Sequence, residues 1–198
     1  MNTARSSVAI VGAGDAAAAV RDLAYAAGLA VARRGAVLIC GGRGGVMAAA
    51  ARGAQSAGGL TIGILPGYDR SQANANIEIA IATGMGEARN AIVVASADSV
   101  VALAGEGGTL SEIGLAIKLG RPVVGLRAWQ QLEMISHADD PVAAVDLALE
   151  LAARHRHEQG KRRAAEPRVE RSGTSKRVRE VRILEEVCDV RRRKAINV

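Results

Sequence analysis

Apolar positions along the chain fall into short continuous runs that alternate with longer segments rich in alanine and other helix formers. Short apolar runs bounded by glycine are typical of buried strands. Strands of this kind, separated by helices, predict a parallel sheet that is covered on both faces. The predicted strands lie within residues 7–14, 36–42, 60–67, 99–106 and 122–127.

Helices are predicted between and after these strands, over residues 16–34, 44–59, 86–97 and about 140–157. A further helix is predicted between the glycine-rich loop at residues 105–108 and the strand at residues 122–127, with Glu112 one turn into it. Gly35 ends the first of them as a helix C-cap would. The last one begins at Asp140 and Pro141, which suit a cap and a first helical turn. Residues 77–84 alternate polar and apolar positions at first, which predicts a shorter strand at the edge of the sheet. The chain is therefore expected to form a single Rossmann-like α/β domain with helices on both faces.

Composition and charge place a boundary late in the chain. The sequence has 198 residues, 49% of them hydrophobic, enough for one core of ordinary size. From Ala152 to Val198 there are 15 Lys and Arg against 7 Asp and Glu, which gives this segment a net charge of +8. The whole chain has a net charge of +6, so residues 1–151 carry −2. We predict a Rossmann-like domain over residues 1–158 and a basic tail over residues 159–198.

The tail contains breakers at Gly160, Pro167 and Gly173 and no aromatic residue. Such a composition predicts a solvated, flexible segment. Its arginine clusters could neutralise nucleic-acid phosphates, but single-strand binders normally add aromatic stacking platforms, so a nucleic-acid partner is disfavoured. Residues 178–193 have the apolar spacing of a short helix, which would dock on a neighbouring subunit.

Several other classes of protein are disfavoured by the sequence. The apolar runs are far shorter than a membrane span, and the first residues lead directly into a strand, so we expect a cytoplasmic protein without a membrane partner. Cys40 and Cys188 suggest neither a disulfide framework nor a zinc site, and Cys40 suits a small core residue. The three histidines lack metal-ligand spacing, so no metal is predicted.

Glycine-rich turns follow four of the predicted strands. In open parallel sheets ligands bind beyond these strand ends, and glycines let backbone N–H groups at helix N-termini approach phosphate oxygens. Two of the turns contain a double glycine, which favours an anion site over a purely geometric need for glycine. The predicted phosphate-binding residues in these turns are Gly12, Gly14, Gly41, Gly42, Arg43, Gly44, Gly45, Pro66, Gly67, Gly105, Gly107, Gly108 and Thr109.

Two common nucleotide motifs are absent. A dinucleotide-binding fingerprint would need a third glycine where this chain has Ala17. It would also need an acidic residue at the end of the second strand, where the sequence from Cys40 to Arg43 contains none. Neither double-glycine loop is followed by the Lys-Ser or Lys-Thr of a kinase-type phosphate loop. Nucleotide binding would therefore have to be of another type.

Four segments together resemble the LONELY GUY (LOG) superfamily, whose proteins were long mislabelled lysine decarboxylases. They are residues 41–54, 63–67, 87–103 and 105–126, and the similarity runs from about Val8 to about Leu151. In detail the chain looks closer to a bacterial branch that has the patterns of residues 65–74 and 86–90. This branch also resembles molybdenum-cofactor carrier proteins.

The resemblance implies that the segment from Ala104 to Glu112 matches a phosphate-binding motif that also supplies a catalytic glutamate. Thr109 and Glu112 keep this motif, whereas Ala104 replaces a proline and Glu106 replaces a glycine. The charge of Glu106 beside a phosphate would be unfavourable unless its side chain points away or meets Arg43.

The resemblance also implies that residues 86–90 match a companion motif, whose arginine is kept as Arg89. Asn90 stands where the motif has a lysine, and we place Asn90 in the ligand site as well. Trp129, the sole tryptophan, follows the last strand and is expected to pack at an interface.

The leading function implied by the resemblance is hydrolysis of the N-glycosidic bond of a nucleoside 5′-monophosphate, a phosphoribohydrolase activity that requires no cofactor. Glu112 would stabilise the oxocarbenium-like transition state or activate water, and Arg89 would pair with the phosphate or orient Glu112. The alternative is a non-catalytic carrier whose bound ligand is molybdenum cofactor, a pterin phosphate. The expected partners are an AMP-like or pterin phosphate ligand and further copies of the chain, as a homodimer or homotetramer.

Overall fold

The computed structural model describes residues 5–165. The strands are β1 (Ser7–Val11), β2 (Val37–Cys40), β3 (Thr61–Leu65), β4 (Ile79–Ala82), β5 (Ser99–Ala102), β6 (Val123–Leu126) and β7 (Ser136–Ala138). The helices are α1 (Ala18–Arg33), α2 (Gly45–Ser56), α3 (Asn90–Ala95), α4 (Gly107–Lys118) and α5 (Pro141–Ala165), with short 3-10 turns at Arg70–Gln72 and Gly86–Arg89.

Seven strands form one sheet in the order β4-β3-β2-β1-β5-β6-β7, and every neighbouring pair is parallel. The chain moves outward from β1 through β2 and β3 to β4, and then returns to place β5 on the other side of β1. The strand order therefore reverses between β1 and β5, which is where open α/β sheets bind ligands. The predicted Rossmann-like α/β fold is confirmed, including β4 at the edge.

Two apolar clusters lie on opposite faces of the sheet. Val8 and Ile10 of β1 belong to the cluster that α1, α2 and α5 cover. Ala9 and Val11 of the same strand belong to the cluster that includes residues of α3 and α4. This alternation follows from the two-residue period of a strand, and it explains why the central strands are apolar at consecutive positions.

The structure differs from the predicted elements in three places. The helix predicted over residues 86–97 is a 3-10 turn, Gly86–Arg89, followed by the shorter α3, and Gly86 has a φ of +55°. The last helix extends past residue 157 to Ala165. Strand β7 was not predicted. It has only three residues, of which Ser136 and His137 are polar, so it has almost no apolar pattern, and it pairs with β6 alone.

The helix predicted over residues 178–193 lies outside the described residues, and the domain boundary between residues 158 and 159 stays a prediction. Over residues 5–165, none of the helices combines the length and the apolar character that crossing a membrane requires.

Candidate functional site

Three loops at the carboxyl ends of β1, β2 and β5 meet and enclose a cleft of about 550 Å³. The Ala13 N–H donates to the Ala104 carbonyl at 3.0 Å, and the Val46 N–H donates to the Ala13 carbonyl at 3.0 Å. These two bonds connect all three loops through Ala13. The cleft is lined by Ile10, Val11, Gly12, Ala13, Gly14, Asp15, Gly41, Arg43, Gly44, Met47, Glu87, Arg89, Asn90, Glu106, Gly108, Thr109 and Glu112.

Close backbone approach explains two of the glycines. A Cβ atom on Gly41 would overlap the guanidinium of Arg89 and the sulfur of Met47. A Cβ atom on Gly105 would overlap the side chain of Thr109. Glycine at both positions therefore lets the side chains of Arg89 and Thr109 lie directly against the loops.

Two helix N-termini, those of α2 and α4, begin at this cleft. Among the residues that the structure describes, no side chain caps the first turn of either helix. Uncapped first-turn N–H groups and the positive end of the helix dipole together favour an anion. The two double-glycine loops predicted from the sequence are therefore placed as an anion site requires.

Arg89 is a buried cation in the cleft, with 6% of its surface exposed. Its Nη1 lies 4.0 Å from Oε1 of Glu112, and its buried Nε has no hydrogen-bond partner among the described residues. The 3-10 turn that carries it is tied back to β3 by a bond from the Gly86 N–H to the Pro66 carbonyl, 2.9 Å long. A buried guanidinium is costly unless it is paired, so an anionic ligand would complete its pairing.

Glu112 faces Arg89 from α4 and is 7% exposed. Burial raises the pKa of the Glu112 carboxyl to about 7, the charge of Arg89 lowers it in part, and the negative charge of Glu87 raises it. A carboxyl group that titrates near neutral pH can give or take a proton. The site therefore places a buried cation next to a group suited to proton transfer.

Cys40 ends β2 next to this pair and is fully buried, which confirms its predicted place in the core. Burial raises the pKa of its thiol to about 11, and the N–H of Gly42 donates to its sulfur at 3.4 Å. A neutral thiol is a poor nucleophile and a poor metal ligand. Cys40 thus contributes packing beneath the cleft.

The structure brings most of the predicted site residues together. Those that line the cleft are Gly12, Gly14, Gly41, Arg43, Gly44, Arg89, Asn90, Gly108, Thr109 and Glu112. Those that do not contribute to the lining are Gly42, Gly45, Pro66, Gly67, Gly105 and Gly107. Pro66 and Gly67 instead accept backbone hydrogen bonds from Gly86 and Gly84, which positions the turn that carries Arg89.

Some lining residues were not predicted. Asp15 and Met47 reach the cleft because the segments after β1 and β2 converge there, and Glu87 reaches it from the 3-10 turn after β4. No local pattern indicates this convergence. Glu106 and Arg43 are both exposed and both line the cleft, but they form no ion pair within the described part of the chain. Glu106 therefore adds an unpaired negative charge to the rim.

Comparison with known proteins gives consistent matches. The model of the SLOG cluster4 family matches residues 5–153. An uncharacterized protein of Archaeoglobus fulgidus is 40% identical over 142 residues, which are 72% of this chain and 93% of that protein.

Two solved structures are similar as well. The molybdenum cofactor binding protein of the phototrophic bacterium Rippkaea orientalis is 37% identical, with a TM-score of 0.73, over 76% of this chain and 99% of that one. The molybdenum cofactor carrier protein of Chlamydomonas reinhardtii is 33% identical, with a TM-score of 0.69 and the same two coverages.

Proposed function

The chain belongs to the SLOG cluster4 family, and from this premise and the geometry of the cleft we propose that it binds molybdenum cofactor through the phosphate of its pterin, without transforming it. The resemblance to the LOG superfamily and to its carrier-like branch is confirmed by the family match and the similar structures. The observation that carries the proposal is Arg89, a buried guanidinium in a glycine-rich cleft, whose Nη1 lies 4.0 Å from the Glu112 carboxyl and whose Nε has no hydrogen-bond partner among the described residues.

The dimensions and polar groups of the cleft suit such a ligand. A volume of about 550 Å³ lies within the usual range for small-molecule sites, roughly 300 to 1,000 Å³. The first turns of α2 and α4, which no N-cap side chain satisfies, offer N–H donors to the phosphate, apart from the Val46 N–H that donates to Ala13. Arg89 and Arg43 supply positive charge. Similar proteins described as binding or carrying molybdenum cofactor favour a pterin phosphate over an adenine nucleotide.

Hydrolysis of a nucleoside 5′-monophosphate is the second candidate, and Glu112 favours it. A buried carboxyl with a pKa of about 7 beside an arginine could stabilise an oxocarbenium-like transition state or activate water. The family motif is altered at Ala104 and Glu106, however, and Glu106 adds negative charge at the cleft. We therefore rank binding without catalysis first.

A binding experiment tests the first candidate. Molybdenum cofactor released from a molybdoenzyme is incubated with wild type, Arg89→Met and Arg70→Ala, and the retained pterin is measured after gel filtration. We expect wild type to retain pterin and Arg89→Met to lose most of it. Arg70 is exposed and outside the cleft lining, so Arg70→Ala controls for the loss of one positive charge. No retention by wild type would rule the proposal out.

An activity experiment separates the two candidates. A panel of nucleoside 5′-monophosphates is incubated with wild type and Glu112→Gln, and free base is measured by chromatography. We expect no base from either protein. Base release by wild type that falls by orders of magnitude in Glu112→Gln, because the carboxyl acts on the transition state, would make the hydrolase the function instead.

We also propose that the protein assembles as a homodimer or homotetramer. Leu110 and Ile117 are exposed on α4, one heptad apart and so on the same face of the helix. Light scattering coupled to gel filtration measures the mass of wild type and of the double variant Leu110→Ser/Ile117→Ser. A wild-type mass of one chain would exclude the assembly.

A further inference from the structure

The turn after β6 holds two non-glycine residues in a left-handed backbone conformation. Arg127 has a φ of +50° and Trp129 a φ of +64°, with the buried Ala128 between them. Such conformations are strained for residues with a side chain and persist only where the surroundings impose them. The turn therefore has a specific shape that its neighbours maintain.

Several contacts impose this shape. The Arg127 N–H donates to the Ala138 carbonyl at 3.0 Å, and Arg127 Nε donates to the Asp139 carbonyl at 2.6 Å. Gly125 in β6 leaves room on the other side, since a Cβ atom there would lie 2.5 Å from the Ala128 carbonyl oxygen. The turn is thus fixed between β6 and the end of β7.

The turn places the indole of Trp129 against the chain that follows β5. Trp129 Nε1 donates to the Leu103 carbonyl at 2.8 Å, and the ring packs against the apolar cluster of the α3 and α4 face. Leu103 is fully buried and directly precedes residues 104–109, which we call the phosphate segment. On its other side this part of the chain is bonded to β1 and to the loop that follows it: the Leu103 N–H donates to the Val11 carbonyl, and the Ala104 carbonyl accepts from the Ala13 N–H.

We propose that Trp129 is a positioning residue of the ligand site, acting through Leu103 to fix the point from which the phosphate segment leaves β5. The β1 bonds hold this point from one side and the indole holds it from the other. This role rests on the proposed function in one respect, namely that the phosphate segment receives the ligand. It does not depend on whether the ligand is a pterin or a nucleotide.

Trp129→Phe removes the N–H and retains most of the apolar contact. Hydrogen–deuterium exchange, followed by mass spectrometry on the ligand-free protein, should be faster in peptides that cover residues 104–109 and unchanged in those that cover residues 41–45. Titration calorimetry with inorganic phosphate should show an affinity lower by about fivefold, the loss expected for one net hydrogen bond. Tyr25→Phe, which removes the bond from Tyr25 to Ser56 between α1 and α2, is the matched control and should change neither quantity.

Three results would overturn the inference: exchange in residues 104–109 that matches wild type, exchange that is faster throughout the sheet, or faster local exchange with unaltered phosphate affinity. If wild type binds no inorganic phosphate, the pterin-retention experiment decides the proposed function, and the exchange data alone decide whether Trp129 holds the segment.

A measurement on wild type avoids the risk that Trp129→Phe does not fold. Trp129 is the sole tryptophan, so ¹⁵N-labelled protein gives one indole N–H resonance. We expect this proton to exchange slowly with water and its resonance to shift on phosphate titration with the affinity found by calorimetry. A rapidly exchanging proton, or a resonance that stays fixed while phosphate binds, would contradict the role.

Discussion

Glu112 is the residue whose protonation couples the cleft to the stability of the fold. Its pKa is about 7 in the native state and 4.5 ordinarily, and burial is the largest cause of the difference. Between about pH 4.5 and pH 7 the native protein retains a proton that the unfolded chain has released. Unfolding then releases a proton, so the free energy of unfolding falls as pH rises through this window and levels off above it.

Glu112→Gln should remove this dependence, because the amide resembles the protonated carboxyl at every pH. Relative to wild type, the variant should gain roughly 3 kcal/mol in unfolding free energy between pH 4.5 and pH 8, from about 1.4 kcal/mol per pKa unit. Urea unfolding at several pH values measures the difference. Glu133→Gln, at an exposed position, should parallel wild type throughout. If the unfolding free energy of Glu112→Gln had the same pH dependence as that of wild type, Glu112 would be ionised without cost in the native state.

Residue-level sequence patterns predicted which residues line the cleft better than they predicted the burial of those residues. Arg89 and Glu112 were singled out by the resemblance, since arginine and glutamate are ordinarily exposed and no pattern marks an exception. Their 4.0 Å approach depends on a 3-10 turn after β4 and a helix after β5, which the fold alone brings together. Asp15 and Met47 were missed for the same reason.

At the scale of elements, α1 and α2 pack so closely that glycine is required at their contact. A Cβ atom on Gly28 would overlap the Ala50 carbonyl, and one on Gly53 would overlap the Tyr25 carbonyl. Both glycines lie inside helices, where alanine would ordinarily be favoured by about 1 kcal/mol. Backbone carbonyls cannot move aside as a flexible side chain can, so the steric cost should exceed this gain.

We therefore expect Gly28→Ala and Gly53→Ala each to lower the unfolding free energy by about 2 kcal/mol, a typical cost of overpacking. Gly114→Ala is the control inside α4, because a Cβ atom there meets nothing within 4 Å in the described part of the chain. It should stabilise the protein by up to about 1 kcal/mol. Thermal unfolding followed by circular dichroism distinguishes the two cases. A stabilised Gly28→Ala variant would show that the helices can separate freely.

The elements that the sequence predicted correctly are those with long or strongly apolar patterns. Strands β1, β2, β3, β5 and β6 are buried on both faces and read as continuous apolar runs. Strand β7 depends on its pairing with β6. The 3-10 turn before α3 depends on the hydrogen bond from Gly86 to Pro66, the residue that follows β3. Tertiary context, which a local pattern does not contain, decided both.

At the scale of the whole molecule, the sequence separates a mildly acidic domain from a basic C-terminal segment. Residues 166–198 carry 10 Lys and Arg against 6 Asp and Glu, and they follow α5, which ends at Ala165. We propose that this segment contributes neither to the core nor to the ligand site. Residues 5–165, the part of the chain that the structure describes, supply two apolar clusters on opposite faces of the sheet and a lined cleft.

Truncation after Ala165 should therefore leave the melting temperature and the affinity for inorganic phosphate unchanged, because residues 5–165 supply the two apolar clusters and the cleft lining that the structure describes. Any weak, salt-sensitive association with nucleic acid should disappear, since it would depend on the removed arginines. Calorimetry and a binding titration at two salt concentrations measure these quantities. A chain with residues 166–198 in scrambled order keeps the charge and separates its effect from that of the sequence. If truncation and scrambling both reduce the assembled mass in light scattering, residues 178–193 hold subunits together and the proposal of an independent tail is wrong.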